Sequence, residues 1–359
     1  MNKDLLLLTI NPGSTSTKIA LYQGEKELSV HVLRHSVEEL SKYETPYEQK
    51  DFRLAHILDY LKESGVALSD IDVFVGRGGL LHPHVSGTYD VNEQMLVDLK
   101  SGKYGHHAST LGGVLAHELA LKYGKPSYVV DSPCVDELSD VARITGIKKI
   151  KRVSVFHALN QKAIAKQYAK DIGKKYDELD LIVIHLGGGI SIGWHHLGSV
   201  VDVNNALNGD GPIAPERSGA IPAQGLVDLC FSGEYTKAQI AKLLAGKGGL
   251  VDLIGTADGR EIEQRYNAGD PEVVPYVDAM IYSIIKQVGG LYFAAGGKID
   301  AIVATGGMAR DKNVITALQN TFEKFTKFVI YPGEDEMRAL AFGALRVING
   351  EEEVKHYAH

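Results

Sequence analysis

The stretch His185-Leu186-Gly187-Gly188-Gly189-Ile190-Ser191-Ile192-Gly193-Trp194 decides how this chain is read. It continues an apolar run, Leu181 to His185, that reads as a buried strand. If the glycines opened a helix, as in a dinucleotide-binding βαβ unit, apolar residues would recur three and four positions apart. Instead the residues after Gly189 alternate with period two, so the glycines sit in a β-hairpin. A P-loop is excluded too: Gly102-Lys103, Gly124-Lys125 and Gly246-Lys247 all lack the Ser or Thr that must follow.

The same device opens the chain. Leu5 to Ile10 reads as a buried strand, Asn11-Pro12-Gly13-Ser14 breaks it, and Lys18 to Tyr22 resumes an extended pattern. Further on, Ile71–Val75 runs into Gly76-Arg77-Gly78-Gly79, Ser127–Val130 into Asp131, and Asp300–Thr305 into Gly306-Gly307. Helical periodicity fills the intervals. A helix is expected from a Thr45-Pro46-Tyr47-Glu48 capping box to Ser64, and others over about 109–123 and 271–293. A last helix from about Asp335 groups Met337, Leu340, Ala341, Ala344, Leu345 and Ile348 on one face. Strands alternating with helices make an α/β protein. The restart of the strand–glycine–strand pattern near residues 150–180 suggests two domains, 1–150 and 151–336, with 337–359 returning to the first.

Composition narrows the function classes. A length of 359 residues fits about two domains, and 44% hydrophobic content supplies two cores without staples. The net charge of −7 speaks against a nucleic-acid or anionic-membrane binder. Two cysteines, Cys134 and Cys230, cannot make a disulfide framework, and no apolar run approaches membrane-spanning length. The apolar run after Met1-Asn2-Lys3-Asp4 is too short for a signal peptide, so the cytoplasm is expected. The pairs His82/His84, His106/His107 and His195/His196 lack companions that would complete a zinc site at usual spacing. Glycine is the unusual number, 39 residues of 359, and it clusters at strand ends.

Glycine lets a backbone approach phosphate closely and aim N–H groups at it. Ser14, Thr15, Ser16 and Thr17 add hydroxyls and Lys18 a charge. Taken singly, each loop reads equally as a tight hairpin. Three of them at strand ends, one hairpin in each half plus a later strand–Gly–Gly, form the arrangement of the actin/sugar-kinase/Hsp70 superfamily: two ribonuclease-H-like domains with mixed sheets around a nucleotide cleft. The resemblance then sharpens. Thr9–Lys18, Val155-Phe156-His157, His185–Gly189, Pro215-Glu216-Arg217-Ser218-Gly219 and Thr305-Gly306-Gly307 resemble, in order, the motifs of the acetate/butyrate kinase family. Asn11-Pro12-Gly13, Phe156-His157-Ala158-Leu159-Asn160-Gln161 and Gly187-Gly188-Gly189 depart from the acetate kinase pattern and are similar to the butyrate branch, including its branched-chain carboxylate forms.

The resemblance implies reversible transfer of the ATP γ-phosphate to a short-chain carboxylate, giving ADP and an acyl phosphate. The nucleophile is already ionised, so the reaction needs cations and hydrogen-bond donors rather than a base. It implies that Arg217 and His157 contact the transferring group. Arg77 would bind the carboxylate from a position shifted relative to acetate kinases, and Asp131 and Glu336 would hold Mg²⁺. Asn11, Ser14, Ser16, Lys18, His185, Gly187, Gly188 and Gly189 would line the phosphates, and Gly306 and Gly307 the adenosine. His107 also matches a family position. Self-association into a homo-oligomer is expected. A non-catalytic nucleotide sensor on the same fold would not need Arg217, His157, Asp131 and Glu336 together, and an acetate or propionate kinase would differ in pocket size.

Overall fold

In the computed structural model, residues 5–359 are described; the reading of Met1–Asp4 as no signal peptide lies outside them. The strands in chain order are β1 (Leu6–Pro12), β2 (Ser16–Gln23), β3 (Lys26–Arg34), β4 (Val73–Arg77), β5 (Thr88–Asp90), β6 (Ser127–Val130), β7 (Asp180–Leu186), β8 (Ile190–His196), β9 (Ser199–Val203), β10 (Ala301–Gly306), β11 (Lys327–Pro332) and β12 (Lys355–His356). The helices that position the site are α1 (Lys50–Glu63), α2 (Thr110–Leu121), α3 (Ala158–Asp171), α4 (Val274–Ala294) and α5 (Glu336–Ile348).

The chain divides into two compact units, 1–135 with 335–359, and 136–334. The first holds a mixed sheet in the order β12-β5-β6-β4-β1-β2-β3, the second one in the order β11-β10-β7-β8-β9. Both repeat one motif. A first strand pairs antiparallel with its hairpin partner (β1 with β2, β7 with β8) and parallel with a later strand (β1 with β4, β7 with β10). The parallel neighbours put several strand ends side by side, as α/β ligand sites require. Residues 136–150, read from sequence with the first domain, pack in the second unit: Glu137 pairs with Lys162 at 2.7 Å, and the Ser139 N–H donates to the Val201 carbonyl.

Each unit has its own core. Val277, Met280, Ile281, Ile284 and Val288 bury the expected face of α4 against Ile182, Ile184, Ile302 and Ala304. In the first unit Leu8, Ile10, Ile19 and Phe74 pack with Leu111 and Leu115 of α2. Each such side chain contributes roughly 1.5–3 kcal/mol relative to exposure. Close approach fixes the seat of α2: a Cβ on Gly76 would collide with the Gly112 backbone, and one on Gly112 with the backbone of Arg77.

Two local expectations are corrected. β1 runs through Pro12, paired with Thr17, because the hairpin closes one residue later, where the Gly13 N–H donates to the Ser16 carbonyl. The Thr45 capping box does not form. The Thr45 hydroxyl donates to Glu48 instead of accepting a backbone N–H, and Pro46–Gln49 is a 3₁₀ turn ahead of α1.

Candidate functional site

In the first unit β1, β4 and the start of α5 gather three of the expected residues. Asp335 caps α5 by accepting the Arg338 N–H, which sets Glu336 in the first turn. Asn11 Nδ2 donates to Glu336 Oε2 at 2.5 Å. Arg77 NH1 sits 2.8 Å from Oε1 and 2.9 Å from Oε2 of Glu336, and donates at 3.4 Å to Asn11 Oδ1. The two residues assigned separately to carboxylate and metal binding are thus ion-paired with each other, both less than a quarter exposed.

Asp131 follows β6 at φ 37, in the left-handed region that a non-glycine residue enters only when its surroundings hold it there. Gly87 supplies that hold, donating its N–H to Asp131 Oδ1 and accepting the Asp131 N–H at its carbonyl. Nearby, burial lowers the His84 imidazole below its ordinary range, and His84 Nε2 meets Ser132 Oγ at 3.0 Å. Mg²⁺ takes one or two carboxylates plus phosphate and water oxygens. Asp131 and Glu336 fit that donor set, and among the described residues no group of three or more His, Cys, Asp or Glu gathers as an all-protein cage.

The β1–β2 loop rests on a group that sequence reasoning missed. Arg53 is fully buried on α1 and donates to the carbonyls of Ser14 and Ser16, to Thr17 Oγ1 and to Gln49 Oε1. None of these partners is a carboxylate. Burial pushes its guanidinium down to about 10. Thr17 Oγ1 also meets His35 Nε2 at 2.9 Å; burial first and the Arg53 charge second hold that imidazole down to about 4. Ser14 is exposed and Ser16 half-buried, and Lys18 stands opposite Asn11 in the ladder, on the same sheet face. A signal for Arg53 was present: with Ile57 and Leu61 it occupies the buried i, i+4, i+8 stripe of its helix.

In the second unit the hairpin glycines are ringed by charged and aromatic groups. His157 precedes α3 and stacks on His185, ring centroids 3.8 Å apart and 9° from parallel. His157 Nδ1 lies 2.9 Å from Ser191 Oγ on β8, and His185 Nδ1 lies 2.8 Å from Asn160 Oδ1. His185 Nε2 approaches Glu334 Oε1 at 3.2 Å. Gly189 is near both Arg217 and His157: a Cβ there would stand 3.5 Å from Arg217 Nε and 3.6 Å from His157 Cε1. Arg217 NH1 donates to the Glu216 carbonyl and side chain, while its Nε is buried with no hydrogen-bond partner among the described residues. Parallel pairing sets Thr305 against His185, and Gly306, at φ 95, touches the Leu186 backbone so closely that a Cβ would collide with it. Gly307 is exposed beside it.

The structure therefore brings Asn11, Arg77 and Glu336 together in one unit, and His157, His185, Arg217 and Gly187–Gly189 together in the other. His107 Nδ1 lies 2.8 Å from Ser109 Oγ. Sequence reasoning missed Asn160, Gln161, Ser191, Glu216 and Glu334; Asn160 and Gln161 stood inside a motif it quoted, and only their partners were hidden.

Residues 142–356 match the model of the Acetokinase family. The chain is 49% identical to butyrate kinase 1 of Clostridium acetobutylicum, over 98% of this chain and 99% of that protein. Of the solved structures it is similar to, acetate kinase of Porphyromonas gingivalis has TM-score 0.76 at 19% identity, covering 96% of this chain and all of the other. Propionate kinase of Francisella tularensis has TM-score 0.76 at 18% identity, covering 94% and 98%. Two mixed sheets that repeat one motif give the chain the fold of these kinases, and the family model with the near-full-length relative defines an ATP-using phosphotransferase. More narrowly, the chain belongs to the acetokinase family and is a kinase whose acceptor is a carboxylate.

Proposed function

We propose that the chain transfers the γ-phosphate of ATP reversibly to butyrate or a branched acid of similar size. The relative named butyrate kinase, alike over nearly the full length, supports this acceptor, as do the three motif departures at Pro12, Ala158–Gln161 and Gly188. One geometric observation carries the chemistry: Arg217 Nε is buried without a partner near Gly189, and His157 is near the same glycine. A guanidinium with an uncommitted N–H at a glycine hairpin suits a phosphoryl group, whose equatorial oxygens gain acceptor strength as transfer proceeds.

In this reading Arg217 and His157 donate to the transferring group, and the hairpin Gly187–Gly189, closed by the Gly187 N–H on the Gly189 carbonyl, faces the nucleotide phosphates. Asn11, Ser14, Ser16 and Lys18 also bind the phosphates, Gly306 and Gly307 meet the adenosine, and His185 holds the plane of His157. Arg77 binds the acid. Asp131 and Glu336 would hold Mg²⁺, which when bound screens the phosphate charge. The protein works in the cytoplasm, does not act on nucleic acid, and self-associates; light scattering that finds only a ~39 kDa species at micromolar concentration would count against the last point. No described helix is long and apolar enough to cross a membrane.

Hydroxylamine trapping of acyl phosphate across C2 to C6 acids, with ATP and Mg²⁺, tests the acceptor. The largest kcat/KM is expected with butyrate or isobutyrate. A maximum at acetate or propionate would reassign the acid, and no hydroxamate with any acid would leave a nucleotide binder.

A further inference from the structure

We infer that Gln161 is a positioning residue that sets the tautomer of His157, so that the imidazole meets the phosphoryl group as a neutral Nε2–H donor. This rests on the reading of His157 proposed above.

The assignment follows from donors and acceptors alone. Gln161 is fully buried on α3, and its side-chain nitrogen lies 2.9 Å from the Ser191 carbonyl. A carbonyl only accepts, so the amide NH₂ must point there and the amide oxygen away. That oxygen lies 3.0 Å from His195 Nε2, which must therefore carry a hydrogen. His195 is completely buried; burial first, then the Lys162 charge, hold its imidazole down to about 3, so it is neutral and its Nδ1 accepts from Tyr176 OH at 2.7 Å. The amide orientation is thus locked from both sides. Its second N–H goes to Ser191 Oγ at 2.8 Å.

Ser191 Oγ now accepts from Gln161, and at 3.4 Å from the His157 backbone N–H as well. A hydroxyl has two lone pairs and one hydrogen, so the hydrogen is left for His157 Nδ1, 2.9 Å away. Nδ1 accepts, and a neutral imidazole must then carry its hydrogen on Nε2. A flipped ring would present a carbon to the hydroxyl. A doubly protonated ring would make Ser191 Oγ take three donors and strand its own hydrogen. The stack on His185 keeps the ring in the plane this bond requires. The series Tyr176–His195–Gln161–Ser191 therefore sets the hydrogen of His157 at one nitrogen, from four residues outside the proposed phosphoryl contact.

The test is a two-bond ¹H–¹⁵N correlation spectrum of histidine-labelled protein at pH 8, with the His157 signal assigned by its loss in His157→Gln. The expected pattern has Nε2 protonated and Nδ1 not. In Gln161→Glu no amide hydrogen remains, the Ser191 hydroxyl turns to the new carboxylate, and the His157 hydrogen moves to Nδ1. With it kcat should fall roughly 10- to 100-fold while KM for ATP changes little. Ser191→Ala, which removes the donor to Nδ1, should lower kcat in the same direction and mix the tautomers, and it serves if the Gln161 variant does not fold. A wild-type His157 protonated on Nδ1, or on both nitrogens, overturns the inference; so does a folded Gln161→Glu that keeps Nε2–H. If the wild-type spectrum is as expected but His157→Ala retains normal kcat, the phosphoryl-contact reading fails and the tautomer assignment stands.

Discussion

The two hairpin loops occupy equivalent places in sheets that repeat one motif, yet they are held differently. In the first unit both holds use a cation: Arg77 pairs with Glu336, with Asn11 bonded to both, and the buried Arg53 grips the neutral carbonyls of Ser14 and Ser16. In the second unit neutral groups hold the donors beside two half-exposed carboxylates, Glu334 near His185 and Glu216 near Arg217. Ser191 holds His157, Asn160 holds His185, and Arg217 Nε is left without a partner. A cation already paired must exchange its partner before it can act on a substrate, whereas a donor fixed by a hydroxyl or an amide keeps its hydrogen directed at whatever arrives. On the proposed function, this contrast favours preorganised phosphoryl stabilisation in the second unit and exchangeable binding in the first.

The largest effect that could break this contrast is at Arg217. Arg217→Ala should lower kcat by roughly 10² to 10⁴ with KM for ATP much less changed, and Arg217→Lys should also fail because an ammonium lacks the planar fork. Steady-state kinetics paired with thermal unfolding decides it: a folded alanine variant of near-normal kcat removes Arg217 from the mechanism. Next in size, Arg53→Met should lower stability by about 3 kcal/mol or more, since it strands several buried acceptors at once. Urea unfolding reads this loss, and an unchanged midpoint would show that the first loop stands without its cation. Glu336→Gln should cost little stability, since its pair with Arg77 is partly exposed, but should raise the Mg²⁺ concentration needed for half-maximal activity. An unmoved Mg²⁺ requirement would take Glu336 out of metal binding.

Acid sensitivity should appear in both units. His195 is held at about 3 and His35 at about 4, both below the ordinary 6.5, so the unfolded chain binds more protons between those values. Their contribution is present above pH 6.5 and lost as pH falls toward 4 and 3, with a slope per group of at most about 1.4 kcal/mol per pH unit. Unfolding followed from pH 7 to pH 4.5 should show this decline, and His195→Gln should make it shallower; equal slopes would refute the linkage for that residue. The smallest effects compare the loops directly. In Gly187→Ala the new methyl would stand 3.0 Å from His185 Nε2 and 3.1 Å from Glu334 Oε1, for a loss of about 1–2 kcal/mol. In Gly13→Ala the nearest atom would be 3.4 Å away, and stability should stay within about 0.5 kcal/mol. Equal costs would mean that the two loops are not packed differently.

Much of this was written along the chain. Period-two alternation after Gly189, glycines at strand ends and the 3.6-residue faces of α4 and α5 are local patterns, and a local pattern needs only neighbouring residues to be read. That is why the hairpin β7–β8 and the motifs around His157, Arg217 and Gly306 could be named from sequence. Tertiary structure alone decided the partners. Glu336 is 259 residues from Arg77, Ser191 is 30 from Gln161, and the Arg53 carbonyls are more than thirty residues behind it. Residues 136–150 joined the second unit through contacts with β9 that no composition shift announces. A hydrogen bond between distant positions leaves no periodicity in either segment. Which cation is already paired, and which donor remains available, is therefore settled only when the sheet and helices bring those segments together.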